Sequence, residues 1–376
     1  MRIGFNRPAL AGNELEYIRE ALAKAHTAGD GSFTRRCNVF LENLLGAPKA
    51  LLTHSCTAAL EMAAILFDLG PGDEVIMPSF TFVSTANAVV LRGAVPVFVD
   101  IRPDTLNIDE GLIENAITPR TKAIFVVHYA GVGCEMNGIM AIADRHGLLV
   151  AEDAAQGLMS RYRGRPLGGI GHLAAISFHE TKNIISGEGG ALIVNDARFA
   201  ARAEIIREKG TNRGSFFRGE VDKYTWVDIG SSYLPSDMIA AFLLAQFEHS
   251  ERLLAERREL WGRYHAGFAE LEGRELCRRP IVPAGCDHNA HLYYLVLPLA
   301  ETRDSLIAAL RADGIQAPFH YVPLHSSPAG LRYGRTSGSL KNTENLARRL
   351  VRLPLWYGMT AEPDRVLDRV HALLER

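Results

Sequence analysis

The sequence lacks most of the features that would place it in a class at once. Its five cysteines (Cys37, Cys56, Cys134, Cys277 and Cys286) form no CxxC pair and are odd in number, so neither a disulfide framework nor a zinc site has the spacing it needs. They read as reduced thiols, and the expected location is cytoplasmic. No charge of one sign is in excess: 41 Lys and Arg against 43 Asp and Glu leave a formal net charge of −2, which offers no footprint for nucleic acid. The longest apolar stretch, Ala58–Leu69, contains Glu61 and Asp68 and falls short of the ~18 residues a membrane span needs. The start, MRIGFNRPAL, has no apolar core behind its charge and is interrupted by Pro8, so no signal peptide is expected. His288 and His291 have no third suitable ligand nearby, and no metal site is expected. Gly131-Val132-Gly133 lacks the third glycine and the downstream acid of a dinucleotide fingerprint.

What is present is an ordinary globular balance. A chain of 376 residues with 47% hydrophobic and 22% charged residues suits two domains. Short apolar runs at Ala50–Thr53, Glu74–Met77, Val95–Val99, Ala123–Val127, Leu148–Ala151, Ala174–Phe178 and Ala191–Val194 alternate with helical patterns such as Thr57–Asp68 and Glu135–His146. These runs are too short and too continuously apolar for amphipathic strands, and fit a mainly parallel sheet covered on both faces. The expectation is a large α/β domain over residues 1–245. A long helical pattern over Ser236–Leu271, capped by Ser236-Asp237, then leads into a smaller α+β domain, so that 246–376 holds connector and small domain together. Its expected elements are a strand at His291–Leu299, a helix at Arg303–Arg311, a strand at Gly314–Phe319 and a helix at Pro363–Leu374.

Four segments at strand ends carry candidate chemistry, and open α/β sheets place ligands at such ends. In Thr53-His54-Ser55-Cys56-Thr57-Ala58-Ala59-Leu60 a strand runs into a helix whose first N–H groups suit a phosphate, although Ser and Thr are also common N-caps. In Leu148–Gln156 a buried strand delivers Glu152 and Asp153. A buried Asp153 calls for a cation or strong donor: a protonated pyridine nitrogen, a metal or an arginine. In Ala174–Lys182 a lysine follows an apolar strand and precedes Gly187-Glu188-Gly189-Gly190; desolvation makes such an amine a nucleophile. In Pro78–Asn87 an aromatic at a strand-to-helix turn, Phe82, can stack on a flat ring.

Phosphate cradle, buried acid, lysine and aromatic together are the parts of a pyridoxal site. With SCTAAL, PSFTFVSTAN, EDAAQG, SFHETK and GEGG in order, the chain resembles the DegT/StrS-type sugar aminotransferases over essentially its whole length. That resemblance implies fold type I, with a mainly parallel seven-stranded sheet. GDGSFTRRC, VHYAGVGCEM, REKGTNRGSFFRG and DKYTWVDIGSSYLPSD look most like the dTDP-4-amino-4,6-dideoxygalactose transaminases. The resemblance implies pyridoxal 5′-phosphate as cofactor, held as a Schiff base on Lys182. Asp153 would hold the pyridine nitrogen, Gln156 the ring oxygen and Phe82 the ring face. Backbone groups of Cys56 and Thr57, with the Ser177 hydroxyl, would hold the phosphate. Phe33, Tyr321 and His325 become substrate contacts, and a homodimer with shared sites acts on L-glutamate and a nucleotide sugar. Many relatives carry a GxNxR-like loop reaching the neighbouring subunit's phosphate. Here Gly230-Ser231-Ser232-Tyr233-Leu234 stands in its place, with Ser232 for the Asn and Leu234 for the Arg. Relatives that are sugar dehydratases have a histidine where this chain has Lys182, and a non-catalytic relative would have lost Lys182 or Asp153.

Overall fold

The apolar runs of the first two-thirds are strands of one sheet in the structure, a computed structural model that describes residues 2–375. The first seven strands are β1 (Lys49–Thr53), β2 (Glu74–Pro78), β3 (Val95–Val99), β4 (Thr121–Val127), β5 (Leu149–Asp153), β6 (Leu173–Ser177) and β7 (Gly190–Val194). An eighth, β8 (Arg335–Thr336), comes from far down the chain, so the sheet runs β1-β7-β6-β5-β4-β2-β3-β8. β7 is antiparallel to both its neighbours, β1 and β6; the other pairings are parallel. β2, β6 and β7 are buried at every position, because helices cover both faces and leave no side for polar residues. The eighth strand escapes sequence reasoning because it is only two residues long. A fork from Arg335 onto both oxygens of the buried Glu74, at 3.0 and 2.7 Å, pins it to the sheet. With Arg120 also bonded, this holds the Glu74 carboxyl at about 2.

Helix α1 (Cys56–Leu66) follows β1, α2 (Val83–Val90) follows β2, and α3 (Met136–His146) ends at Gly147 in the left-handed conformation. The expected single long helix is three: Asp237–Glu248, Ser250–Gly267 and Ala269–Gly273. Ser236 caps the first, accepting from the Ile239 N–H. His249 breaks the run with φ −113°, and the Ser250 hydroxyl bonds the Phe247 carbonyl there. A separate core gathers around a two-stranded antiparallel sheet, Tyr293–Val296 with Leu350–Leu353, and the helices Ala300–Ala312 and Glu362–Leu374. The strand expected at Gly314–Phe319 is not one. Ile3 pairs with it through two bonds only, to Gly314 and Gln316, and Pro318 cannot extend a ladder. Ile3 thus packs into the C-terminal core, while β8 joins the large sheet. Met1 and Arg376, the outer ends of the two expected domains, lie outside the described residues. Among the described residues no helix is long and apolar enough to cross a membrane.

Candidate active site

The carboxyl ends of β5 and β6 and the start of β7 meet at one edge of the sheet, where Asp153, Ser177 and Gly190 sit. α1 starts at the same edge, after β1. A cavity of about 460 Å³ opens there, lined by Cys56, Thr57, Phe82, Asp153, Gln156, Ser177 and Lys182, with Tyr321 and Arg352 on its far side. Lys182 reaches it from a loop folded back on itself. Phe178 N–H donates to the Gly189 carbonyl, Ser186 N–H to the Phe178 carbonyl and Glu180 N–H to the Gly187 carbonyl, at 2.7–2.9 Å. Gly187 turns this loop with φ +82°, a conformation other residues rarely take. At Gly190 a Cβ would come within 2.4 Å of the Cys56 amide nitrogen, so only glycine lets β7 pass under the start of α1.

The strand period decides what the two adjacent acids of β5 do, since neighbouring side chains point to opposite faces. Asp153 faces the cavity. It accepts from the Thr85 hydroxyl at 2.7 Å and the Ala155 N–H at 3.2 Å, and burial raises its pKa in spite of both donors. Among the described residues no cationic side chain forms an ion pair with it. Glu152 faces the other way and is fully buried. It accepts from Gly168, Ile170 and Gly171 N–H groups at 2.6–2.9 Å and from His128 Nε2 at 2.8 Å. His128 Nδ1 accepts from the Cys134 N–H, which leaves Nε2 as the ring's donor to Glu152. Burial opposes ionisation of Glu152, but His128 and the glycine amides outweigh it and the pKa falls below the ordinary value.

Burial lowers the Lys182 pKa, with Cys56 and Asp153 pulling it back up, so the amine is poised for nucleophilic or proton-transfer work. Burial pushes the Cys56 thiol well up, which keeps it protonated. Ser55 caps α1 by accepting from the Ala58 N–H; the Cys56 and Thr57 N–H groups precede the first intrahelical acceptor and face the cavity as anion donors. Gln156 Oε1 accepts the Ala130 N–H at 2.7 Å, which turns its NH₂ toward the cavity, where it donates to the Tyr321 hydroxyl at 2.8 Å. Tyr321 holds this place with φ +42°. Phe82, 58% exposed, offers an open ring face at the rim.

Three sequence candidates lie elsewhere in the chain. Phe33 is fully buried in the core, 5.6 Å from the Tyr17 ring, and is not accessible to a ligand there. His325 bonds Ser79 Oγ at 2.8 Å and Glu344 at 3.2 Å, which occupies both ring nitrogens. Ser232 is exposed and lines a second cavity of about 990 Å³ with Lys49, Arg207 and Arg213. Sequence reasoning missed Thr85 and Arg352. The Thr81–Thr85 hydroxyl pair at i,i+4 spacing was the available sign for Thr85. Arg352 gave no sign, being one arginine of a basic stretch far from the motifs.

A donor set of free helix N–H groups, an unpaired buried carboxylate and a desolvated lysine fits a flat anionic aldehyde with a basic ring nitrogen. Fold and site define a protein of the fold type I aminotransferase class. More narrowly, the chain belongs to the DegT/DnrJ/EryC1/StrS aminotransferase family, which matches residues 8–371. It is 33% identical to the spore coat polysaccharide biosynthesis protein SpsC of Bacillus subtilis (strain 168), over 99% of this chain and 97% of that one. It is 35% identical to the GDP-perosamine synthase of Caulobacter vibrioides, over 100% and 98%. A solved structure assigned as a sugar aminotransferase, Spr1654 from Streptococcus pneumoniae in its PLP-form, superposes with a TM-score of 0.91 at 26% identity, over 100% of this chain and 99% of that one.

Proposed function

We propose that this chain is a pyridoxal-phosphate-dependent aminotransferase that moves an amino group from L-glutamate to C4 of a nucleotide-linked 4-keto-6-deoxy sugar. The first substrate to try is dTDP-4-keto-6-deoxyglucose, with dTDP-4-amino-4,6-dideoxygalactose as product. The single observation that carries the reading is the meeting of Lys182 and the unpaired Asp153 in one cavity beside free N–H groups of α1. A structural lysine or acid would have found an oppositely charged partner in an ion pair.

Bound pyridoxal phosphate supplies an aldehyde that accepts an amino group and a cationic ring that draws electrons from the carbon losing its proton. The Asp153 carboxylate would hold the ring nitrogen in its protonated form, with the Thr85 hydroxyl and the Ala155 N–H donating to it. The Gln156 NH₂, turned into the cavity by the bond from Ala130 to its oxygen, would donate to the ring oxygen. Phe82 would lie against the ring face, and Cys56 and Thr57 N–H with the Ser177 hydroxyl would bind the phosphate. Lys182 Nζ would anchor the cofactor, and would take the proton from the donor's α-carbon and return it to the carbon beyond the amino nitrogen; its depressed pKa suits both steps. In the second half it runs the same transfer in reverse on the sugar. The presence of Lys182 argues against a dehydratase, and its company with Asp153 against a non-catalytic role.

The test is incubation of purified protein with pyridoxal phosphate, L-glutamate and a 4-keto-6-deoxy sugar linked to dTDP or, because one relative's name carries GDP, to GDP. Visible absorbance that shifts on adding glutamate, and an amino sugar nucleotide by mass spectrometry, are expected. Cofactor uptake with no glutamate response would sink the reading.

A further inference from the structure

Asn183 follows Lys182 in the chain, is buried, and does not line the cavity that the lysine enters. Its side chain is held at both ends. Nδ2 donates to the Asn289 carbonyl at 2.7 Å, and Oδ1 accepts from His291 Nδ1 at 3.1 Å. Asn289 reaches the other way. Its Nδ2 donates to the Gln156 and Leu158 carbonyls at 2.9 and 2.8 Å, and two acceptors at one end fix which end of the amide is NH₂. Its Oδ1 faces Gly131, where a Cβ would come within 2.1 Å of it. Between Asn289 and His291 the backbone turns at Ala290 with φ +51°, a left-handed conformation that costs energy outside glycine. Arg257, buried on the helix Ser250–Gly267, grips this turn from behind. Its Nε and Nη2 donate to the Ala290 and His291 carbonyls at 3.2 and 2.6 Å, and Nη1 to the Leu355 carbonyl at 3.2 Å.

These bonds form one chain from the lysine loop to the loop that carries Gln156. The register of β5 against β6 ends at Asp153 and Ala175, and both loops lie beyond it. Bonds from Phe178, Glu180 and Ser186 close the lysine loop on itself, which sets its shape but not its distance from Gln156. Among the described residues no hydrogen bond joins the two loops directly; Asn183 and Asn289 make the link. The chemistry is sensitive to such a distance, because an error of about 1 Å costs on the order of 100-fold in rate. Resting on the transamination reading, we infer that Asn183 is the positioning residue of Lys182. Bonded to Asn289, it fixes the root of the lysine relative to Gln156, and so fixes where Nζ stands against the ring that Gln156 holds. Arg257 ties the same turn to the end of the strand Leu350–Leu353, so the C-terminal core and the lysine loop share one reference point.

The experiment compares full-length wild type, Asn183→Ala and a control, Asn195→Ala. Asn195 also gives its amide to two carbonyls, those of Gly168 and Gly171, but it stands just past β7 at the end away from the cavity. Cofactor is removed and pyridoxal phosphate added back. Attachment to Lys182 is trapped with borohydride over time and counted by mass spectrometry of the intact protein. The reloaded proteins are then given glutamate in single turnover, and melting temperatures are recorded. Asn183→Ala should attach the cofactor, and react at saturating glutamate, on the order of 10- to 100-fold more slowly than wild type. Its glutamate concentration for half-saturation should stay within about threefold, as expected when positioning rather than binding is lost. Asn195→Ala should match wild type in both rates despite a comparable fall in melting temperature. Asn183→Asp, isosteric but with nothing to donate to Asn289, should slow in the same way and stands in if Asn183→Ala does not fold. Attachment at the wild-type rate without the Asn183 amide, or slowing in both variants in step with melting temperature, would overturn the assignment alone. Wild type that forms no trappable adduct at Lys182 overturns the transamination reading and this assignment with it.

Discussion

At the scale of single residues, burial separates the groups that serve the site from those that serve the fold. Lys182 has no acid within ion-pair distance and loses hydration in the cavity, so its charge contributes nothing to stability. Lys182→Ala should therefore abolish turnover while leaving the circular dichroism and the melting temperature of the cofactor-free protein unchanged or slightly raised. Substantial residual transamination would refute its role. Asp153 follows the same logic with the opposite charge. Its folded-state pKa is raised, so the ionised form is penalised in the folded protein at pH above that value. Asp153→Asn should be at least as stable as wild type at pH 7 without cofactor, yet lose most of its single-turnover rate with glutamate, because an amide no longer keeps the ring nitrogen protonated. A wild-type rate in that variant would remove Asp153 from the mechanism.

At the scale of elements, the two acids of β5 show how one strand supports both fold and chemistry. Glu152 ties β5 to the Gly168–Gly171 turn and to His128 after β4. Its folded pKa is depressed below the unfolded value. Its contribution to stability is thus complete above about pH 4.5 and fades as the pH falls through the lower folded value. The melting temperature of wild type should drop steeply below about pH 4.5, and Glu152→Gln should flatten that dependence. Removing the carboxyl altogether in Glu152→Ala should cost upwards of ~3 kcal/mol at neutral pH, since several buried donors lose their acceptor at about 1–3 kcal/mol each. Chemical denaturation at pH 7 and pH 4 measures both; an equal pH slope in wild type and Glu152→Gln would contradict the account. Periodicity in the sequence located β5 and its acids, but the choice between them depends on which face meets the cavity.

At the scale of the whole molecule, we propose a homodimer in which Ser232 serves the partner's phosphate site. The motivation is its exposure, away from its own subunit's lysine cavity, in a second cavity it shares with Phe217, itself 69% exposed. An isologous two-fold pairing would make each subunit both donor and recipient. Gly230→Val should disrupt the segment, because a Cβ there would meet the Gly210 nitrogen at 2.1 Å. Mixed with Lys182→Ala, it should regain part of the activity, one heterodimer site holding both intact parts. Subunit exchange is first verified by native mass spectrometry. Complete exchange with no activity regained, or a fully active monomer, would refute the shared site.

The sequence by itself determined the seven longer strands of the large sheet, whose continuous apolar runs leave no other environment than a sheet covered on both faces. It also determined the order of Cys56, Phe82, Asp153, Gln156, Ser177 and Lys182 along the chain, because each motif is local to one strand end. It could not show β8, two residues held by a salt bridge to Glu74, nor the break at His249, which a hydroxyl–carbonyl bond settles. Nor could it bring Arg352 to Lys182, or remove Phe33 and His325 from the cavity. Arg352 and His325 are placed by how the C-terminal residues pack against the sheet edge, and Phe33 by the core it shares with the helix Asp237–Glu248; packing between segments so far apart in sequence leaves no periodic trace.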